Sequence, residues 1–193
     1  MTTAAAPVLA TRFVSRSKVW AVVGVIGFAA LTALAAQFSF RIPPIAVPFT
    51  LQTAAVLLSG GVLGSRLGMA SQLLYVGAGA IGLPIFAEAS GGVDVLRGAT
   101  GGYLVGFVIA SYFTGRLAES RHDRQVLSGF AAFLIGSLLI YAFGVVGLMV
   151  NLDMTIGSAI ANGVVPFVFW DVLKALAAGL VLPGAWKLSG DSD

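Results

Sequence analysis

The feature of this sequence that most constrains its fold is the length of its apolar stretches, of which residues 19–38 are the clearest. An α-helix needs roughly 20 apolar residues to cross the core of a bilayer. Charged residues make up only 10% of the chain, whereas a soluble domain carries roughly 25%. The sequence therefore predicts an all-α integral membrane protein, and it excludes a cytosolic enzyme, a nucleic-acid binder and a secreted module.

Prolines, polar stretches and charged residues divide the apolar sequence into six predicted transmembrane helices. The second and third are short, and only Ser65 and Arg66 separate them. These two spans could therefore be tilted, curved or partly re-entrant. The six spans are residues 19–38, 49–64, 67–85, 100–115, 126–150 and 156–183. We predict one membrane domain over 1–193, with a cytoplasmic N-terminal tail (1–18), a six-helix bundle (19–188) and a C-terminal tail (189–193).

The basic residues predict the orientation, because cytoplasmic loops are enriched in Lys and Arg. If both termini are cytoplasmic, the outer loops hold only Arg41 and Arg97, and Lys174 lies inside the last span. The remaining basic residues then lie on the cytoplasmic side: Arg12, Arg16, Lys18, Arg66, Arg116, Arg121, Arg124 and Lys187. This bias favours six spans with both termini cytoplasmic.

The first span also allows a different interpretation. Arg16 and Lys18 precede an apolar stretch that contains Ala33-Leu34-Ala35, which is similar to a secretory signal with a small-residue cleavage site. Cleavage would leave five spans and an external N-terminus. The same span carries Ala29 and Ala33, four residues apart, and small residues at this spacing permit close helix approach. They predict either internal packing or a docking face for another membrane subunit.

Several common catalytic sites are absent from the sequence. It has no cysteine, a single histidine (His122) and no Gly-x-x-x-x-Gly-Lys-Ser/Thr phosphate loop. A thiolate nucleophile, a His-Glu-x-x-His zinc site and ATP binding by a phosphate loop are therefore excluded. Binding or passage of a small molecule is favoured over an intramembrane enzyme, and we expect no cofactor.

The strongest candidate site is the pair Asp171 and Lys174 in the last span. Ionisable residues inside a membrane span are costly and usually functional, and positions i and i+3 share a helix face. Phe167 lies one turn earlier on the same face, so the helix offers an aromatic wall, an acceptor and a three-proton donor. A ligand with an apolar body and polar ends fits this combination, and the alternative is a buried ion pair that only neutralises itself.

Other polar and aromatic residues predict further parts of the same site. Thr50 and Gln52 lie at the outer mouth of the second span, although Thr50 alone could be a helix cap. Arg97 precedes the fourth span beside glycines and suits a carboxylate, although it could also bind lipid headgroups. The candidate binding residues are Asp171, Lys174, Arg97, Gln52, Thr50, Tyr75, Phe167 and Phe86.

Four motifs in order resemble the BioY family, the biotin-specific substrate-capture (S) components of energy-coupling factor (ECF) transporters. They are Val47-Pro-Phe-Thr-Leu-Gln-Thr53, Gly79-Ala-Ile-Gly-Leu-Pro-Ile-Phe86, Gly98-Ala-Thr-Gly-Gly-Tyr103 and Asp171-Val-Leu-Lys174. One departure is Ala99, where the family often has Pro.

The resemblance implies a six-helix fold with cytoplasmic termini in a bacterial cytoplasmic membrane, and capture of biotin from the outer side. It implies that Asp171, Lys174 and Arg97 bind the ligand. It also implies a transmembrane coupling subunit, contacted by Ala29 and Ala33, and two ATP-binding-cassette ATPases, which alone would bind ATP. The alternatives are an S component for another vitamin and a channel or solute carrier that acts without ATPases.

Overall fold

The computed structural model describes residues 8–10, 18–122 and 125–188, apart from the side chain of Leu188. These parts of the chain are mainly helical, as predicted from the apolar stretches. The α-helices are α1 Lys18–Gln37, α2 Gln52–Leu63, α3 Ser65–Ala80, α4 Val93–Leu96, α5 Gly101–Glu119, α6 Val126–Leu152, α7 Ile156–Gly163 and α8 Val165–Leu188. Strands β1 (Ser39–Phe40) and β2 (Phe49–Thr50) pair antiparallel, and a 3₁₀ turn spans Ala87–Ala89. Most of the predicted N-terminal tail, the C-terminal tail 189–193 and the basic residue Arg124 lie outside the described residues.

Three helices of the described chain are long and apolar enough to cross a membrane: Lys18–Gln37, Val126–Leu152 and Val165–Lys187. Helices α2 and α3 have 12 and 16 residues, and at 1.5 Å per residue they reach only about 18 and 24 Å. Both lengths fall short of a hydrocarbon core of about 30 Å. The chain is thus a membrane protein by its apolar helices, and the count of six spans stays a prediction.

Gly64 separates the two short helices. Its φ of +84° is a conformation that L side chains rarely adopt, and a Cβ there would lie 2.9 Å from the Glu119 carboxylate. That carboxylate also accepts hydrogen bonds from the backbone and side chain of Ser65, at 2.8 and 2.7 Å. The carboxyl end of α5 therefore holds the α2–α3 turn in place.

The last predicted span, 156–183, begins at the first residue of α7, but it is wrong in its interior and at its end. It contains two helices, because the chain leaves helical geometry at Val164 (φ −124°, ψ −60°). Pro166 explains the break: a proline inside a helix loses a hydrogen bond and clashes with the preceding turn, whereas the first turn of a new helix tolerates it. At the other end, α8 continues through Pro183 to Leu188.

Helix α5 lies at the centre of the fold, packed against α2, α3 and α6. Glycines allow these helices to approach closely, since a Cβ on Gly102 would lie 2.8 Å from the Gly147 Cα atom of α6. Helix α8 packs against α6 and α2. This arrangement brings the amino-terminal end of α5 and the middle of α8 around one cavity.

Helix α1 packs against α2 and α3. Ala29 is buried within the chain, and Ala33 is partly buried against the same core. The sequence left open whether these alanines pack internally or contact another subunit, and the structure shows that Ala29 packs internally. A contact between Ala33 and a second membrane subunit stays a prediction.

Candidate functional site

The predicted pair Asp171 and Lys174 forms an ion pair on α8. The Lys174 Nζ atom lies 2.7 Å from Asp171 Oδ1, and their side chains are 20% and 6% exposed. The i, i+3 spacing on one helix places both headgroups on the same face. The pair faces the interior of the helical bundle. This orientation is expected, because exposing charged side chains to lipid costs free energy.

Two other helices complete the hydrogen bonding of Asp171. The Thr53 hydroxyl of α2 donates to Oδ1 at 3.0 Å, and the Tyr141 hydroxyl of α6 donates to Oδ2 at 2.6 Å. A carboxylate has about four acceptor positions. Three are used, so one remains for a donor on a ligand.

Lys174 is hydrogen-bonded to its full capacity. Its ammonium group donates to Asp171, to the Thr50 carbonyl oxygen at 2.8 Å and to the Thr53 hydroxyl at 2.9 Å. An ammonium has three protons and no acceptor. A ligand acceptor that binds Lys174 therefore has to replace one of these partners.

A cavity of about 300 Å³ lies beside the ion pair, at the lower end of the size range of small-molecule sites. This observation separates the site from a pair that only neutralises itself, which needs no space next to it. Seven of the eight predicted binding residues line the cavity: Thr50, Gln52, Tyr75, Phe86, Phe167, Asp171 and Lys174.

Aromatic side chains form two walls of the cavity. The rings of Tyr75 and Phe86 meet edge to face with centroids 5.4 Å apart, and the Tyr75 hydroxyl accepts a 2.6 Å hydrogen bond from Gln52. Gly79 permits this wall, because a Cβ there would overlap the Phe86 ring. The second wall is formed by Phe167 of α8, whose ring packs against the ring of Phe49 with centroids 4.4 Å apart.

Arg97 is the predicted binding residue that the structure does not bring to the cavity. Its side chain is exposed, although its neighbours Val95 and Gly98 line the cavity. The segment 86–99, which leads into α5, contains the 3₁₀ turn and α4. The role of Arg97 in ligand binding stays a prediction.

Several lining residues escaped the sequence analysis as binding residues: Arg41, Thr53, Glu88, Tyr103 and Tyr141. Thr53 and Tyr103 are the last residues of the motifs 47–53 and 98–103, so the sequence already pointed to their neighbourhood as part of a binding site. A tyrosine in a long apolar helix, such as Tyr141, is itself a polar group at membrane depth that needs a partner. Arg41 and Glu88 offered no such signal, since charged residues in loops are ordinary.

The geometry supports binding of a small, mostly apolar molecule with a polar end. The inner end of the cavity combines a buried carboxylate, an ammonium and the hydroxyl groups of Thr53 and Tyr141, and the walls are aromatic. In a site shielded from water, hydrogen bonds to charged groups contribute about 1.5–3 kcal/mol each. The site is therefore built to select a ligand that both donates and accepts hydrogen bonds.

Known proteins are similar to this chain over most of its length. The model of the BioY family matches residues 6–191. A biotin transporter BioY of Thermotoga maritima is 41% identical over 158 residues, which cover 80% of this chain and 88% of that protein. A probable biotin transporter BioY of Pyrococcus horikoshii is 39% identical over 165 residues, 86% and 93% of the two chains.

A solved structure has a similar fold. It is the S component for biotin from an ECF-type ABC transporter, with a TM-score of 0.81 and 21% sequence identity, and the match covers 90% of this chain and 94% of that one. The family match over nearly the whole length of the sequence establishes that this chain belongs to the BioY family.

Proposed function

We propose that this protein captures biotin at the outer face of a bacterial cytoplasmic membrane, as the substrate-binding S component of an ECF transporter. The observation that carries the proposal is the buried Asp171–Lys174 pair at the inner end of a cavity, in a chain of the BioY family. The relatives favour a transporter over an enzyme, since they are named biotin transporters.

Biotin matches the hydrogen-bonding capacity of the inner end. Its ureido ring has two N–H donors and one carbonyl acceptor. One N–H group donates to the free acceptor position of Asp171, and the carbonyl takes the Lys174 proton that the Thr50 oxygen holds. The thioether ring and the aliphatic tail then pack against Tyr75, Phe86 and Phe167.

Calorimetric titration of the purified protein tests the ligand. We expect biotin to bind with roughly nanomolar affinity, since two or three charged hydrogen bonds and apolar burial reach that range. Riboflavin and thiamine provide the comparison, because they differ from biotin in shape and in donor pattern. Tight binding of another vitamin, with no binding of biotin, would replace this proposal with the alternative of a different S component.

The proposed partners are a transmembrane coupling subunit and two ATPase subunits. Uptake of labelled biotin into cells that express this chain with and without those subunits tests the requirement for them. We expect faster uptake when the ATPases are active. Equal uptake with inactive ATPases would favour a carrier that works alone.

The proposed topology has six spans and cytoplasmic termini. The sequence has no cysteine, so a single introduced cysteine reports its own side of the membrane. In intact cells, a membrane-impermeant maleimide should label Asp94→Cys, near the cavity. It should label Ser120→Cys, beyond the far end of α5, only after permeabilisation. The reverse pattern would invert the topology.

A further inference from the structure

The rim of the cavity carries a second charged pair. The Arg41 guanidinium donates two hydrogen bonds to the Glu88 carboxylate, Nε to Oε1 at 3.1 Å and Nη2 to Oε2 at 2.7 Å. Both side chains line the cavity, and they are 47% and 44% exposed. This pair therefore lies at the open end, whereas Asp171 is buried at the inner end.

Of the two cations that line the cavity among the described residues, only Arg41 can exchange its partner easily. Lys174 donates all three protons to groups fixed by α8, β2 and α2. Arg41 instead pairs with a carboxylate that water reaches, and exposed ion pairs contribute little stability. Replacing that carboxylate by another one conserves both hydrogen bonds of the guanidinium.

The backbone that carries Glu88 is under local strain. Glu88 and Ala89 have φ angles of +58° and +53°, which residues with side chains seldom adopt. Such strain persists only where the surroundings hold the chain. The restraints include the Arg41 pair, a hydrogen bond from the Glu88 backbone N–H to the Ser39 hydroxyl at 3.2 Å, and one from the Phe86 backbone N–H to the Ser90 carbonyl oxygen at 2.9 Å.

We infer that Arg41 binds the anionic end of the ligand, and that the ligand carboxylate exchanges with the Glu88 carboxylate on the Arg41 guanidinium. The inference rests on the proposed function, since biotin carries a carboxylate at the end of its tail. An arginine fork binds a carboxylate through two parallel hydrogen bonds, which is the geometry that Glu88 already displays. The sequence prediction gave this role to Arg97, which does not line the cavity.

The test measures binding of biotin and of its uncharged methyl ester to purified protein variants. In the parent protein we expect biotin to bind about tenfold more tightly than the ester. Arg41→Gln should bring the ratio of the two dissociation constants close to one by weakening biotin alone. Arg41→Lys should give an intermediate ratio, because it keeps the charge and loses the fork.

Two further variants separate this assignment from its rivals. Arg66→Gln removes a positive charge next to the Gly64 turn, far from the cavity, and should keep the parental ratio. Glu88→Gln should raise the affinity for biotin about threefold and leave the ester unchanged, because the competing carboxylate is lost.

The outcomes that overturn the assignment differ from those that overturn the proposed function. A parental ratio in Arg41→Gln, or a ratio lost in Arg97→Gln alone, would show that Arg41 does not bind the carboxylate while biotin capture stands. If Glu88→Gln weakened the binding of biotin and of its methyl ester equally, the proposed exchange of carboxylates on Arg41 would be refuted. A parent protein that binds neither compound would refute biotin capture and the assignment together.

Discussion

The energetics of the Asp171–Lys174 pair give the sharpest prediction. Removing one member of a buried ion pair costs about 3–5 kcal/mol, whereas replacing both members by uncharged groups is often close to neutral. In Lys174→Met the carboxylate stays buried but keeps the hydroxyl donors of Thr53 and Tyr141, so we expect a loss of about 3 kcal/mol in the free energy of unfolding. In Asp171→Asn the ammonium, whose side chain is 20% exposed, keeps two acceptors, and we expect a loss of about 2 kcal/mol.

The double variant distinguishes stability from ligand binding. We expect it to lose no more than about 2 kcal/mol, so the coupling free energy of the pair is at least about 3 kcal/mol. Because each charged hydrogen bond to the ligand contributes about 1.5–3 kcal/mol, all three variants should bind biotin at least about tenfold more weakly. Unfolding in denaturing detergent and calorimetric titration measure the two quantities. A double variant that binds biotin as tightly as the parent would refute the binding role, and additive losses of stability would refute the coupling.

Two further substitutions test the inner end of the cavity and one of its walls. Tyr141→Phe removes a hydroxyl that donates to the Asp171 carboxylate, so biotin should bind about tenfold more weakly by titration. Tyr112→Phe, outside the cavity, is the control and should leave the affinity for biotin unchanged. Gly79→Ala places a Cβ in the Phe86 ring and should weaken both biotin binding and thermal stability, by about 1–3 kcal/mol for stability. Gly77→Ala on the same helix is the control, because a Cβ there meets no atom within 4 Å.

Continuous apolar stretches predicted the long helices well. The first and fifth predicted spans, 19–38 and 126–150, differ from α1 and α6 by no more than two residues at either end. The α7–α8 break was missed because the apolar residues on both sides of Val164 outweigh the single polar Asn162, so the segment has the hydropathy of one continuous span. Pro166 was the available signal, since it disfavours a continuous helix.

The site was predictable where its residues share one helix and less so where they do not. The spacing of Asp171 and Lys174 alone places them on one face. Their partners Thr53 and Tyr141 come from α2 and α6, and only tertiary packing decides which of many hydroxyl groups reaches a given carboxylate. The choice between Arg97 and Arg41 depended on loop conformation, which has no periodicity to read.

The two cations of the cavity differ in how firmly their hydrogen-bond partners hold them, because one is buried and the other is exposed to water. A charge at membrane depth must be fully paired to be tolerated, and Lys174 is therefore held by three fixed acceptors. A charge at the rim is hydrated, so Arg41 can change its partner at little cost. The inner pair should consequently account for most of the affinity for biotin, and the rim for its preference over an uncharged analogue. Loss of the inner pair is then expected to weaken biotin and its ester alike, whereas loss of Arg41 weakens only the acid.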